Sequence, residues 1–295
     1  MDVSIVITSY NTRDLLAECL QSVRASTGDQ VIETFVVDNG SHDGSAAMVE
    51  RDFPEVRLLV NDANLGFSRA SNRALEASTG RYVLLLNPDT RLRPETIACM
   101  VRTLDDRPEV GLAGVKLVRP DGDMDRACRR GFPTPLNSLT KMLKLDRAFP
   151  RSRVLGGYNL TWQDPDGDYE VDAIVGAFMF MRREVIEEVG MLDERFFMFG
   201  EDLDWCWRIR RSAWQVLYLG SHEVLHVKGA SVRQNPVEMN AHFHRAMYIF
   251  HKKHLENRYP FFVNWAVQAG IGVRWLGRSA VLRMRRRLEE PGPKS

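Results

Sequence analysis

The first third of the chain alternates between two kinds of segment, and that alternation leaves few folds open. "VSIVIT" is an unbroken β-branched run of the kind found in strands buried on both faces. "TRDLLAECLQSV" follows it with Leu16, Cys19, Leu20 and Val23 at helical spacing and Thr12 placed to cap. The alternation continues through strand "TFVVDN", helix "SAAMVERDF", strand "VRLLV", helix "FSRASNRALEAS" and strand "YVLLLNPD". Helix "PETIACMVRTLDD", with Pro94 opening its first turn, and strand "VGLAGVKLV" complete the run. Strands separated by helices build βαβ units, so the expected class is α/β, with a mostly parallel central sheet and flanking helices.

The second half is less regular. "RPDGDM" predicts a hairpin turn, and residues 132–162 carry Pro, Gly and Ser breaks that predict loop and irregular helix. Strand "VDAIVGAFMFM" and helix "RREVIEEVG" precede the stretch "FFMFGEDLDWCWR". A helix "EMNAHFHRAMYIFHKKHL" and an apolar, basic segment follow. The expected organisation is one domain over 1–235 and a C-terminal helical extension over 236–295.

Composition narrows the partners. A formal charge of +1 over 295 residues provides no general field for nucleic acid. The four cysteines, Cys19, Cys99, Cys128 and Cys206, form no C-x-x-C pair, which argues against a zinc site or a disulfide framework and fits a reducing cytoplasm. "MDVSIVITSYN" lacks the basic start and cleavage site of a signal peptide, so a cytoplasmic location is expected.

In an open α/β sheet, ligands bind beyond the carboxyl ends of the strands. Three polar clusters sit at such ends: "TSYN", "VVDNGSHDGS" and "LLLNPDT". Neither a G-x-G-x-x-G nor a Walker A lysine loop accompanies them. Asp89 in "NPDT" reads as an Asx turn ahead of Pro94, or as a ligand for Mg²⁺ or Mn²⁺ with diphosphate oxygens completing the shell. Asn87 points to the same face. Asp38 reads as a helix cap or as an acceptor for a base or ribose, and Asp43 as a turn residue. Gly66 in "NLGFSRASN" marks a close backbone approach or a positive φ.

"FFMFGEDLDWCWR" crowds Glu201, Asp202 and Asp204 into apolar company, where unpaired charge is costly. Asp204 and Arg208, at i and i+4, predict a surface ion pair. Glu201 and Asp202 read as first-turn residues favoured by the helix dipole. The alternative is a carboxylate made more basic by the surrounding Phe side chains, with Asp202 the candidate base. His222 and His226 would share the face of a strand, and His226 is the candidate to complete a metal shell with Asp89. The acidic loops from Asp121 and Asp164 lack the Gly and Glu of a calcium loop and predict turns. Near the C-terminus, Phe262, Trp265, Ala269, Val273, Leu276 and Ala280 form an apolar stripe with Arg274 and Arg278 beside it. The stripe fits an interfacial helix on anionic lipid, or a helix packed on its own domain, and meets Arg274 too soon to span the ~20 residues of a bilayer.

The stretches "VSIVITSYN", "VVDNGSHDGS", "NLGFSRASNRAL", "LLLNPDT", "VGAFMFMRREVIEEVGMLDERFFMFGEDLDWCWR" and "LHVKGAS" together resemble a family 2 glycosyltransferase of the GT-A (Rossmann-like) fold, within its bacterial rhamnosyltransferase-like branch. The resemblance covers roughly residues 3 to 232. It implies inverting transfer of a sugar from a nucleotide donor to an acceptor hydroxyl, with Asp202 as the base and Glu201 and Trp205 at the acceptor mouth. Donor contacts are implied for Thr8, Tyr10, Asn11, Asp38 and Asn39 on the first two strand ends. Asn64, Gly66, Phe67, Asn72 and Asn87 would extend them, and Asp89 with His226 would hold Mg²⁺ or Mn²⁺. The sequence departs from the family in having "NPD" where many relatives show D-x-D, and Met191 and Leu192 where they often show Gly and Phe. L-Rhamnose from a dTDP donor, passed to a polyprenyl-diphosphate-linked saccharide in cell-surface polysaccharide synthesis, is the expectation. A galactofuranosyl or other hexosyl transfer from a UDP donor, and a metal-independent glycosidase acting through two carboxylates, are the alternatives.

Overall fold

The computed structural model describes residues 1–227 and 235–289; the "KGAS" part of the last resembling stretch lies outside them. The elements in chain order begin with β1 (Val3–Ser9), α1 (Arg13–Arg24), β2 (Ile32–Asp38), α2 (Ser45–Asp52), β3 (Arg57–Val60), α3 (Phe67–Ala77) and β4 (Tyr82–Leu86). Next come β5 (Thr90–Arg91), α4 (Thr96–Asp106), β6 (Val110–Val118), α5 (Pro135–Met142) and α6 (Leu145–Ala148). The chain continues with β7 (Asp168–Glu170), β8 (Phe178–Arg182), α7 (Arg183–Val189), α8 (Glu201–Arg211) and β9 (Gln215–His226). It closes with α9 (Pro236–Phe250) and α10 (Phe261–Glu289).

Among the described residues the strands form one sheet in the order β3-β2-β1-β4-β8-β6-β9-β5, with β7 added on β9. β1 runs parallel to β2 and β4, β2 to β3, and β6 to β9. β8 is antiparallel to both its neighbours, as are β5 and β7 to β9, so the sheet is parallel on its N-terminal side and mixed beyond β4. The β-branched runs predicted to be strands fill its interior: Val3, Ile5, Val6 and Ile7 are fully buried, and α3 covers β1 and β2 while α4 covers β6.

Register fixes what meets at the carboxyl edge. Ser9 pairs with Asp38, and Ile7 with Leu86, so the residues after β1, β2 and β4 leave the sheet side by side. Antiparallel pairing of Leu86 with Phe178 brings the segment before β8 to the same edge, and Thr90 pairs with His226 at the end of β9. The strand predicted over "VDAIVGAFMFM" is shorter than expected. Only Phe178–Arg182 is strand, because Ala173 bridges Arg130 and the Gly176 amide is taken by a side chain. β9 carries a register break, with Val115 opposite Leu219 but Lys116 opposite Glu223. His222 falls inside that break, and of the two histidines His226 is the buried one.

A second apolar cluster of Phe196, Trp207, Ala246, Phe250 and Leu255 seats α9 on the domain, with Phe132 edge-on to Trp207 at 4.6 Å. Asp204 locks the same joint. The Asp204–Arg208 pair forms as predicted, at 2.9 Å, but it is buried and not on the surface: Asp204 has no exposed side chain. It also accepts His254 Nε2 at 2.7 Å and meets Lys253 Nζ at 2.6 Å, both from the turn after α9. Burial opposes the charge of this carboxyl, yet His254, Lys253 and Arg208 hold its pKa below the usual range. Removing a buried counter-charge strands its partners, so Asp204→Ala should lower unfolding stability by about 3 kcal/mol or more. Denaturant titration of both proteins measures it, and a loss within error would show that the joint does not need this carboxylate.

Candidate active site

Each polar strand end has its own local cause. Asn11 takes φ 50°, and its Oδ1 accepts the His42 amide while its own amide donates to Ser41 Oγ. Asp43 behaves as the predicted turn residue, accepting the Ser45 amide and hydroxyl just ahead of α2. A recess of about 370 Å³ opens here, lined by Asn11, Thr12, Arg13, Asp14, Leu15 and Asp43. Asp38, buried at the end of β2, uses Oδ2 on the Ser41 amide, and its Oδ1 has no hydrogen-bond partner. A buried acceptor left unsatisfied is costly, which suits a position that waits for a donor from a ligand.

Other expected donor contacts are occupied inside the protein. Thr8 Oγ1 meets Ser71 Oγ at 2.9 Å. Asn39 bonds Asn61, Asn64, Leu65 and Gly66, so its amide shapes the 61–66 loop. Asn72 is spent on Leu192 and Glu194 and ties α3 to the segment before α8. Gly66 meets both requirements read from the sequence: φ is +83°, and an added Cβ would lie 2.6 Å from Phe197 O. That carbonyl accepts the Phe67 amide at 2.6 Å. The half-buried Tyr10 follows β1 directly, and the Asn87 amide donates to Ala177 O.

Asp89 follows β4 and faces His226, with Oδ1 3.2 Å from Nε2. The contact lacks hydrogen-bond geometry, and this buried oxygen has no other partner. On its far side His226 Nδ1 lies 3.6 Å from Asp125 Oδ2, in the loop predicted to be a simple turn. Burial pulls the imidazole pKa down, but Asp125 and Asp89 outweigh it and raise it to about 9. Because His226 stands between the carboxylates, the three do not converge, and no group of three or more His, Cys, Asp or Glu among the described residues is arranged to hold a metal. An unsatisfied carboxylate oxygen beside an imidazole still fits one edge of a divalent shell whose other ligands are water and phosphate oxygens.

The acidic helix start lies across the same edge. Phe199 (φ 70°) and Gly200 (φ +81°) take consecutive left-handed conformations, a strained pair that turns the chain sharply into α8. Asp202 Oδ2 accepts Arg130 Nη2 at 2.5 Å and the Gly176 amide at 3.1 Å, and Oδ1 accepts the Leu203 amide at 2.7 Å. Burial opposes the charge on Arg130, but Asp202 outweighs it, and the guanidinium stays protonated. Glu201 has no such partner: its Oε2 is buried and unpaired, and burial followed by the charge of Asp202 pushes its pKa to about 8. Desolvation thus raises Glu201, the neighbour of the residue expected to be made more basic. Trp205, expected at the acceptor mouth, is a core residue, fully buried with its indole N–H on Gly190 O at 2.9 Å. It stands one helical turn from Asp202, on the side that packs inward.

One short path joins the two clusters. Segment 125–130 carries Asp125 to His226 and Arg130 to Asp202, while Gly176 and Ala177 bond Asp202 and Asn87. Arg130, Asp125 and Gly176 have no sequence signal of their own.

Comparison with known proteins accords with this geometry. The model of "Glycosyl transferase family 2" matches residues 4–190, most of the chain, and stops short of α8. The chain is 28% identical over 296 residues to the N-acetylglucosaminyl-diphospho-decaprenol L-rhamnosyltransferase of Mycobacterium tuberculosis (strain H37Rv), covering 96% of this chain and 95% of that protein. Its fold is similar to residues 1–349 of S. aureus TarS, with TM-score 0.55 and 16% identity, covering 92% of this chain and 70% of that one. It is also similar to GalNAc-T7 with UDP, GalNAc and Mn²⁺, with TM-score 0.56 and 16% identity, covering 77% and 44%. Those two likenesses bear on the fold alone.

Glu201 generates a prediction about pH. Its folded pKa of about 8 lies above the ordinary 4.5, so between those values the folded chain binds more protons than the unfolded one. Stability should fall as pH rises through about 5 to 8, by on the order of a few kcal/mol. Glu201→Gln, which keeps shape without charge, should flatten that slope in thermal melts. An unchanged slope would show that Glu201 ionises freely in the folded protein.

Proposed function

This chain belongs to glycosyl transferase family 2 and is a glycosyltransferase, and from that premise we propose that it inverts the anomeric centre while moving a sugar from a nucleotide donor to a saccharide hydroxyl. The observation that carries the proposal is the ion pair of Asp202 with Arg130, which keeps a buried carboxylate at the acceptor side of the carboxyl edge. Asp202 takes the hydroxyl proton as the oxygen attacks the anomeric carbon from the face opposite the leaving group. The new C–O bond forms as the bond from that carbon to the diphosphate oxygen breaks, and the nucleotide diphosphate departs with the bonding electrons. The unpaired Oδ1 of Asp38 accepts a donor from the nucleoside. Protonated Glu201, beside the attacking group, adds no second negative charge and orients the acceptor.

Asp89 and His226 would hold Mg²⁺ or Mn²⁺, which offsets charge on the departing diphosphate. Support for these ligands comes from the unsatisfied Asp89 oxygen facing the imidazole.

L-Rhamnose from dTDP-rhamnose is the proposed donor, and a polyprenyl-diphosphate-linked saccharide at the cytoplasmic face of the membrane is the proposed acceptor. The M. tuberculosis relative, matched over nearly its whole length, is named for L-rhamnose transfer to N-acetylglucosaminyl-diphospho-decaprenol, which supports the sugar and the class of acceptor. Residues 1–235 would perform the chemistry and 236–295 would bring it to the membrane.

A panel of dTDP- and UDP-sugars with and without Mn²⁺ tests the assignment, with nucleotide diphosphate release and product anomeric configuration as readouts. Asp202→Asn should lower turnover at least about 10³-fold with little change in donor binding, and Asp89→Asn should weaken donor binding and its metal dependence. Preference for a UDP-hexose would replace the donor but keep the reaction. Hydrolysis of glycosides without a nucleotide, surviving EDTA, would overturn transfer in favour of a glycosidase.

A further inference from the structure

The stripe in α10 reads as the buried face of a helix, yet it faces solvent. Trp265 and Val273 are 72% and 71% exposed, and Phe262, Leu276 and Met284 are exposed with them. The face turned inward is anchored by polar groups. Buried Asn264 accepts from His251 Nε2 at its Oδ1, at 2.9 Å, and donates through Nδ2 to the Glu256 and Tyr259 carbonyls. Buried Ser279 meets Asn240 Nδ2 of α9 at 3.0 Å. The helix thus satisfies its polar side internally and presents its apolar side outward. An exposed apolar surface of this length marks a place where something docks.

Charge selects the occupant. Arg274, Arg278 and Arg285, all exposed, follow one edge of the stripe at helical spacing. No Asp or Glu occurs between Phe261 and Arg285. A second copy docking face to face would bring these like-charged edges together without counter-charge on either helix. No helix among the described residues is long and apolar enough to cross a membrane. A bilayer interface accepts both features at once, with aromatic and aliphatic side chains below the headgroups and guanidiniums against anionic phosphates.

We propose that this face of α10 lies flat in the surface of a membrane containing anionic lipid and holds the carboxyl edge near a lipid-linked acceptor; the second clause rests on the acceptor assigned above, the first does not. The full-length protein is mixed with vesicles of phosphatidylcholine alone, or with a third of the lipid replaced by phosphatidylglycerol, and sedimented. Partitioning should be at least about 10-fold stronger on the anionic vesicles and should weaken as salt is raised from roughly 0.1 to 0.5 M. Val273→Glu with Leu276→Glu, both solvent-facing, should abolish binding while thermal melts stay unchanged. Arg274→Gln with Arg278→Gln should remove most of the preference for anionic lipid. Absence of wild-type binding, equal binding to both vesicles, or undiminished binding by the glutamate variant would overturn the proposal. So would a wild-type dimer in sedimentation velocity that the glutamate variant dissolves without any lipid effect. Transferase turnover measured in the same samples without vesicles separates the two claims: a chain that binds lipid but transfers no sugar refutes the function and leaves the docking intact.

Discussion

Two adjacent carboxylates open a helix inside an apolar wall, and one guanidinium, from Arg130, faces them. Fully charged, Glu201 and Asp202 would repel each other in a low-dielectric setting where each also loses its hydration. Arg130 breaks the symmetry. Its Nη2 lies 2.5 Å from Asp202, and the Gly176 amide reinforces the same oxygen. Glu201, with no such partner, is pushed toward its protonated form. Two consecutive carboxyls at the carboxyl edge therefore stand in different settings, one paired with a guanidinium and one left unpaired.

The segment that leads into these carboxyls is tied to the first half of the sheet through backbone contacts. Gly66, at the start of α3, approaches the carbonyl of Phe197 more closely than any Cβ would allow, and the Phe67 amide bonds it. Asn72, further along α3, takes both the amide and the carbonyl of Leu192. The loop after β3, the start of α3 and the segment leading into α8 therefore form one unit. The left-handed Phe199 and Gly200 sit at the end of that segment, where strain is tolerated because the surroundings leave no other path.

Much of this was legible in the sequence, for a physical reason. Strand ends of an α/β sheet meet at one edge whatever the loops do, so "TSYN", "VVDN" and "NPDT" announced Asp38, Asn87 and Asp89 as residues of one edge. His226 was also readable, since β9 buries it opposite Thr90. Arg130 and Gly176 were not, because they lie in irregular chain whose position depends on one isolated bridge, Arg130 to Ala173. Asp125 hid behind its turn, where it accepts the Ala127 amide as any capping residue would while its other oxygen faces His226. The pairing of Asp202 with Arg130 and the unpaired Oε2 of Glu201 were not readable either, since apolar neighbours in sequence reveal desolvation but not which carboxylate a distant arginine will reach.

The same limit explains α10. Periodicity finds an apolar stripe and says nothing about which way it turns; that is decided by what the other face can satisfy. Asn264 and Ser279 lie on the opposite side, and each finds buried partners: His251 and two carbonyls for the first, Asn240 for the second. Turning the helix over would bury the aromatic stripe but leave those partners, Asn240 and His251 among them, without their bonds. Each such loss costs about 1–3 kcal/mol, against roughly 1.5–3 kcal/mol for burying one large apolar side chain. Inside the isolated chain the two orientations are of similar magnitude, and a surface outside it that accepts the stripe without disturbing the polar anchors favours the orientation observed.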